Sequence, residues 1–174
     1  MKFELHKAIL ILERTPSILY ALLKDLPEDW TYKNEGKNTW SPFDVVGHFV
    51  HGEKTDWIDR TNVILNKDSN ETFTPFDRFA QFKDSEGKSL NELLEEFESL
   101  RLNNLKIVKG LNLNESDFKL EGRHPNLGKV TLEQLLATWV THDLAHIAQI
   151  VRVMAKQYKS EVGPWSEYIG ILNK

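Results

Sequence analysis

Cysteine is absent from the 174-residue chain, which excludes a disulfide framework and any thiolate metal site. No run of about 18 apolar residues is present, so the sequence predicts neither a transmembrane helix nor a membrane partner. The apolar start of the chain is interrupted by charged residues, and no small-residue cleavage site follows it. This favours an amphipathic helix over a signal peptide, and we expect a cytoplasmic location.

A cluster of basic residues is also missing. The formal net charge is −4, and lysine and arginine are scattered among acidic residues. Nucleic-acid-binding proteins usually carry a basic patch or stripe, so we expect no nucleic-acid partner. The sequence also lacks the motifs of phosphate-binding loops, dinucleotide-binding folds, HExxH metalloproteases and serine hydrolases. The paired Glu-x-x-His motifs of di-iron bundles are absent too.

The composition is that of an ordinary globular protein, 40% hydrophobic and 28% charged. The length favours a single domain over residues 1–174. Helical apolar patterns run over 3–26, 41–65, 89–110 and 131–158, with little strand signal. These patterns predict an all-α fold, a four-helix bundle with long connections between helices 2–3 and 3–4.

Local signals mark where these helices begin. Ser41 and Ser89 can cap the second and third helices, and Thr131-x-x-Gln134 resembles a capping box that opens the fourth. In the first helix, Pro16 predicts a kink or a restart.

The two long connections differ in character. Residues 66–87 are polar and aromatic, and a connection of that length is often functional, so a lid over a site is one interpretation. Residues 111–130 are rich in turn-forming residues and hold either a short hairpin or an irregular loop. His124 precedes a proline there, which favours a structural role over a ligand role.

His142 and His146 are the first candidate functional residues. Residues four apart lie on one face of a helix, one turn apart, so both imidazoles can point at the same ion. Gln149, seven residues after His142, shares that face. Such a pair also occurs by chance as surface or buried structural histidines, so spacing alone leaves both interpretations open.

A third imidazole can come from the second helix, which carries His48 and His51. Asp44 and Thr55 lie four residues before and seven after His48, on its face of the helix. Three imidazoles from two facing helices suit Zn²⁺, Ni²⁺ or a similar divalent ion and leave a coordination position open, as in catalytic sites. The alternative is that His48 and His51 are solvent-exposed or form a polar core pair.

The segments WSPFDVVGHFVHGEKTDWIDR and HPNLGKVTLEQLLATWVTHDLAHIAQIVR resemble the DinB-like superfamily, which includes bacillithiol S-transferases and mycothiol-dependent maleylpyruvate isomerases. The similar features are Trp40 with His48 eight residues later, the distant pair His142 and His146, and the N-E-G sequence at 34–36. The resemblance covers most of the chain. It implies a four-helix bundle of DinB type and a homodimer.

The resemblance also implies a divalent metal, zinc or nickel, held by His48, His142 and His146. His51 is not a ligand in the family pattern and is expected to lie behind the ligands or at the surface. Asp44, Thr55 and Gln149 are candidates to orient the imidazoles through hydrogen bonds.

Three functional hypotheses follow. The first is a metal-dependent enzyme that acts by thiol transfer or hydrolysis on a small molecule, with a low-molecular-weight thiol as one substrate. The second is a non-catalytic, metal-binding protein with a stress-related or interaction role. The third is a helical bundle with buried histidines and no metal.

Overall fold

The structure, a computed structural model, describes residues 1–66 and 72–173. Its elements, in chain order, are α1 (Leu5–Leu12), α2 (Thr15–Leu23), α3 (Glu28–Thr31), α4 (Pro42–Thr55), α5 (Trp57–Leu65), α6 (Ala80–Asp84), α7 (Leu90–Gly110), β1 (Glu121–His124), β2 (Gly128–Thr131) and α8 (Leu132–Gln157). Three 3₁₀ turns add Asp117–Lys119, Gly163–Glu167 and Gly170–Asn173. Among the helices in these two ranges, none is long and apolar enough to cross a bilayer.

Four helical segments pack together as the predicted four-helix bundle, so the predicted fold class is confirmed. The first segment consists of α1 and α2, the second of α4 and α5, the third of α7 and the fourth of α8. The long connections flank α7, as predicted. Because α4 contacts both α7 and α8, every residue from Val45 to Glu53 is buried. Its polar side chains therefore need partners inside the protein.

Two of the four segments are broken rather than continuous. The break between α1 and α2 lies just before Pro16, where the sequence predicts a kink or restart. The break between α4 and α5 falls at Asp56, whose backbone angles (φ −119°, ψ −67°) depart from helical values. The sequence predicts one continuous helix there, and this prediction is wrong. Asp56 and Trp57 are 8% and 4% exposed and line a cavity.

The three predicted helix caps are confirmed, each as a reciprocal capping box. At the start of α4, the Asp44 backbone N–H donates to Ser41 Oγ at 3.2 Å. In return, the Ser41 backbone N–H donates to Asp44 Oδ2 at 2.8 Å. The same exchange of hydrogen bonds joins Ser89 to Glu92 at the start of α7 and Thr131 to Gln134 at the start of α8. These caps fix where α4, α7 and α8 begin.

The crossover after α7 contains the antiparallel hairpin of β1 and β2, so the hairpin alternative is correct. Of the connection at 66–87, residues 67–71 lie outside the described part. Phe73 donates its backbone N–H to Arg123 O at 2.9 Å, and its ring is buried against Gly122. A Cβ on Gly122 would lie 2.6 Å from that ring, so only glycine fits. The rest of the connection leads into α6, which packs on α4.

Two apolar clusters form the described core. One joins α2, α4, α7 and α8 and includes Leu19, Val46, Phe49, Leu93, Phe97 and Ile150. The other joins α1, α5, α7 and α8 and includes Leu12, Trp57, Ile64, Leu105, Leu132 and Trp139. Both clusters hold α8 in place, and the first also holds α4; these two helices carry the candidate ligands.

Candidate metal centre

Three imidazoles from two helices meet inside the bundle. His48 comes from α4, and His142 and His146 come from successive turns of α8. One potential ligand atom of each lies within 4.8 Å of the others. The Nε2 atoms of His48 and His142 are 2.9 Å apart, and the ring centre of His146 lies 4.6 and 4.3 Å from those of His48 and His142.

This donor set fits a divalent ion. Imidazole nitrogens bind Zn²⁺ at about 2.0–2.1 Å, which places two ligand nitrogens of a tetrahedral site about 3.3 Å apart. The Nε2 atoms of His48 and His142 would have to separate by a few tenths of an ångström. The side chain of His142 is 20% exposed, so the cluster is accessible from one side. Three protein nitrogens with one accessible side are typical of a catalytic site rather than a closed structural one.

Two of the three imidazoles, those of His48 and His146, are neutral at physiological pH. Burial, reinforced by repulsion from His146 and His142, lowers the pKa of His48 to about 3. Burial also lowers the pKa of His146 to about 4, and His142 adds repulsion there. A metal ion binds only the deprotonated imidazole, so these low pKa values remove proton competition at neutral pH.

The outer nitrogens of the three rings have different surroundings. Nδ1 of His146 lies 2.8 Å from Oε1 of Gln149, which leaves Nε2 free for an ion. Nδ1 of His142 lies 3.9 Å from Oδ1 of Asp143 and makes no hydrogen bond. Nδ1 of His48 is buried and also makes none.

The structure also shows the contacts of Asp44, Thr55 and His51, which the sequence analysis singled out. The carboxylate of Asp44 accepts from Ser41 in the helix cap, and Thr55 Oγ1 donates to the backbone oxygen of His51 at 2.9 Å. Neither side chain is hydrogen-bonded to an imidazole in the described structure, so these contacts give no support to the predicted orienting role. His51 is buried rather than at the surface, and its Nδ1 lies 2.9 Å from Oδ2 of Asp84 on α6.

A buried cluster of charges lies next to the imidazoles. Arg101 of α7 is fully buried and bonds both Glu53 of α4, at 2.9 Å, and Asp143 of α8, at 2.6 Å. Glu53 is five residues from His48, and Asp143 is next to His142. Arg101 therefore joins the two ligand helices by charged hydrogen bonds.

Neutral groups complete this cluster. Asn104 donates to Oε2 of Glu53 at 3.0 Å, and the indole N–H of Trp139 donates to Oε1 at 3.1 Å. Thr15 donates to Oδ2 of Asp143 at 2.6 Å, and Arg101 also donates to the backbone oxygen of Leu12. All four helical segments thus contribute. Hydrogen bonding and ion pairing hold the pKa of Asp143 below its usual value despite burial.

The imidazoles face a cavity of about 510 Å³. Its walls are mainly apolar and include Trp40, Trp57, Phe73, Phe76, Leu127 and Val130. Its polar lining includes Asp56, Arg60, Arg78, His124, Gln134 and Thr138. An apolar cavity with a few polar groups is typical of a small-molecule site.

Asp56 is a residue that the sequence prediction missed. Its Oδ1 lies 2.5 Å from Nε of Arg60, one turn later, and it lines the same cavity as His142. Burial raises the pKa of Asp56, although Arg60 and His142 oppose the shift. In a continuous helix Asp56 would point about 80° away from His48, so only the break between α4 and α5 brings it to the cavity.

His124 serves the hairpin while it lines the cavity. Its Nδ1 accepts backbone N–H groups of Asn126 and Leu127 at 3.1 and 3.2 Å. It is not among the three clustered imidazoles. This geometry agrees with a structural role.

Trp40 covers the cluster from the N-terminal side of α4. Its ring stacks 6.1 Å from His146 at an angle of 18° and lies 4.9 Å from His48. The loop before Trp40 is anchored to α8 through Glu35, whose carboxylate forms ion pairs with Arg152 and Lys156. The hydrogen bond from Arg152, assisted by Lys156, lowers the pKa of Glu35 from 4.5 to about 2.

This anchor predicts an acid-dependent loss of stability. Because the folded state lowers the pKa of Glu35, its contribution is complete above pH 4.5 and disappears as the pH falls towards 2. At pH 7, Glu35→Gln should lower the free energy of unfolding by about 1–2 kcal/mol, a value reduced for the partial exposure of the pair. Urea unfolding at several pH values should show the two proteins converging below pH 4.5. Glu98→Gln, an exposed position on α7, is the control and should match the parent throughout. If Glu35→Gln and the parent differ in unfolding free energy as much at pH 3 as at pH 7, this role of Glu35 is contradicted.

Comparisons with known proteins agree with the fold. The model of the DinB superfamily matches residues 11–150, which contain all three imidazoles. YfiT from Bacillus subtilis, described as a probable metal-dependent hydrolase with an unusual four-helix bundle topology, superimposes with a TM-score of 0.74 at 21% identity. The alignment covers 91% of this chain and 87% of YfiT. No curated protein matches significantly.

Proposed function

The chain belongs to the DinB superfamily, and we propose that it is a metal-dependent hydrolase of a small molecule. The observation that carries this proposal is the meeting of His48, His142 and His146 at an apolar cavity that also contains a buried carboxylate. The description of YfiT as a probable metal-dependent hydrolase supports the same reaction class.

The three imidazoles would hold the ion through one nitrogen each. When bound, a divalent ion supplies a Lewis acid that lowers the pKa of a water molecule or thiol and polarises the substrate. Neutral imidazole ligands leave the positive charge of the ion undiminished. The metal's identity depends as much on availability as on these ligands, and zinc and nickel remain our prediction.

Asp56 is the proton acceptor in this proposal. Water that attacks an electrophilic carbon must lose a proton as the new C–O bond forms, and the carboxylate of Asp56 takes it. The same proton then passes to the leaving group as its bond to carbon breaks. Burial raises the pKa of Asp56, which makes its carboxylate a stronger base, and Arg60 holds the carboxylate in place.

This carboxylate favours hydrolysis over thiol transfer. A thiol bound to a divalent ion loses its proton outright, whereas water under the same conditions has a pKa near 7 and benefits from a base. The cavity supplies such a base. Thiol transfer, the other reaction considered from the sequence, needs none.

Asp56→Asn tests the proposed reaction. Zinc- and nickel-loaded protein should hydrolyse at least one member of a panel of small esters, amides and lactones, and the variant should lower kcat about a hundredfold. The acidic limb of the pH–rate profile should disappear while metal content stays unchanged. Asp59→Asn, an exposed carboxylate three residues later, is the matched control and should behave as the parent.

Two results would contradict this proposal. Turnover that requires both a thiol, such as bacillithiol, glutathione or cysteine, and an electrophile would show a thiol transferase. Full metal loading without turnover on either panel would favour the non-catalytic hypothesis. The predicted homodimer stays a prediction.

A further inference from the structure

Gln81 is a buried amide whose hydrogen-bonding atoms have no partner. Its side chain lies on α6 and is 1% exposed, yet neither Nε2 nor Oε1 makes a hydrogen bond. Leaving a buried amide unpaired costs about 1–3 kcal/mol. A polar side chain at this position is therefore explained only by a partner within reach.

The complementary unpaired atom is Nδ1 of His48. It is also buried and without a hydrogen bond. A Cβ on Gly47, the residue before His48, would lie 4.0 Å from the backbone oxygen of Gln81, so Gln81 and His48 are neighbours where α6 packs on α4. Nε2 of His48 faces Nε2 of His142, which leaves Nδ1 as the ring atom available to the amide.

Two contacts hold α6 against α4 so that Gln81 stays beside His48. Asp84 binds His51 at 2.9 Å, and the side chain of Ser85 fills the space beside Gly47. A Cβ on Gly47 would lie 2.4 Å from Oγ of Ser85, so α4 and α6 pack too closely at this point for any side chain larger than that of glycine. Gln81 and Asp84 share one face of α6, Ser85 follows directly after its end, and His48 and His51 lie on the face of α4 opposite.

We propose that Gln81 is the positioning residue for His48: its Oε1 accepts a hydrogen bond from Nδ1–H and fixes the tautomer whose Nε2 lone pair points at the other two imidazoles. Gln149 has the same relation to His146 at 2.8 Å, so two of the three rings are oriented by a glutamine. The inference rests on the proposed function, because it assigns Gln81 a role in the proposed metal site.

The consequence for an ion follows from the tautomer. An imidazole binds through its unprotonated nitrogen, so His48 can use Nε2 only when Nδ1 carries the proton. Without an acceptor at Nδ1, His48 can place its proton on Nε2, and the ring is free to rotate. Removal of such an orienting partner typically weakens metal binding 10- to 100-fold.

The test compares Gln81→Met, which removes the acceptor at similar volume, with Gln81→Glu, which keeps it. Zinc affinity, measured by competition with a chromophoric chelator, should fall 10- to 100-fold in Gln81→Met and stay within about threefold of the parent in Gln81→Glu. Lys83→Met, at an exposed position of the same helix, is the control for disturbance of α6 and should leave the affinity unchanged. Unchanged affinity in Gln81→Met would overturn the proposal.

A second readout needs no metal. In ¹⁵N-labelled, metal-free parent protein, the ring shifts of His48 should be those of the Nδ1–H tautomer. In Gln81→Met, a mixture of the two tautomers should appear. If the parent binds no zinc, the proposed function is wrong. The ring shifts of His48 in the parent and in Gln81→Met would still test the role of Gln81. If the parent binds zinc and His48 shows the same tautomer in both proteins, only the role of Gln81 is wrong.

Discussion

His142→Ala should lower the affinity for zinc or nickel by at least about a thousandfold while the bundle stays folded. Loss of one imidazole from three leaves a bidentate pair, and a thousandfold change corresponds to about 4 kcal/mol of binding free energy. The helix tolerates the change because alanine has the highest helix propensity. Competition titration gives the affinity, and circular dichroism gives the helix content.

The matched control is His124→Ala. His124 lines the same cavity, but its Nδ1 serves the hairpin turn and it stands outside the three clustered imidazoles. This variant should bind the ion as the parent does, with some loss of stability in the hairpin. Equal losses of affinity in His124→Ala and His142→Ala would place the ion elsewhere in the cavity and contradict the assignment.

Arg101→Met should lower the free energy of unfolding by about 3–5 kcal/mol at pH 7. The substitution leaves Glu53 and Asp143, both with fully buried side chains, without their cation. Arg101→Lys should recover only part of the loss, because a single ammonium group cannot reproduce the planar fork that reaches both carboxylates. Urea unfolding measures each value, provided that the slope with urea stays constant.

Two comparisons separate lost charge from lost packing. Arg14→Met, at an exposed position, should change stability by less than about 0.5 kcal/mol. Adding Glu53→Gln and Asp143→Asn to Arg101→Met should recover part of the loss, since it removes the unpaired charges. A loss below 1 kcal/mol in Arg101→Met alone would mean that the buried ion pairs do not hold α4 against α8.

The parts of the fold that sequence analysis predicted depend on local interactions. Each capping box is set by two residues three apart, so Ser41 and Ser89 mark helix starts without knowledge of the rest of the chain. The spacing of His142 and His146 likewise fixes their common face. Assigning His48 to the same site needed the resemblance to a family, because spacing alone did not distinguish it from a polar core residue.

The parts that were missed depend on contacts between distant segments. Asp56 reaches the cavity only because the helix breaks there, and no proline marks that break in the sequence. Gln81 lies in a connection that gave no clear helical pattern, and its partner is 33 residues earlier in the chain. Thr55 shares the face of His48 in an ideal helix, but its hydroxyl bonds the preceding turn instead.

The central claim is that His48, His142 and His146 together hold one divalent ion. X-ray absorption spectroscopy on untagged protein, loaded with zinc or nickel and desalted, tests it most directly when combined with elemental analysis. The account predicts about one ion per chain with three imidazole nitrogens, at about 2.0–2.1 Å for zinc. Protein that retains no ion, or an ion surrounded by oxygen atoms alone, would contradict the account and leave the three histidines as core structure.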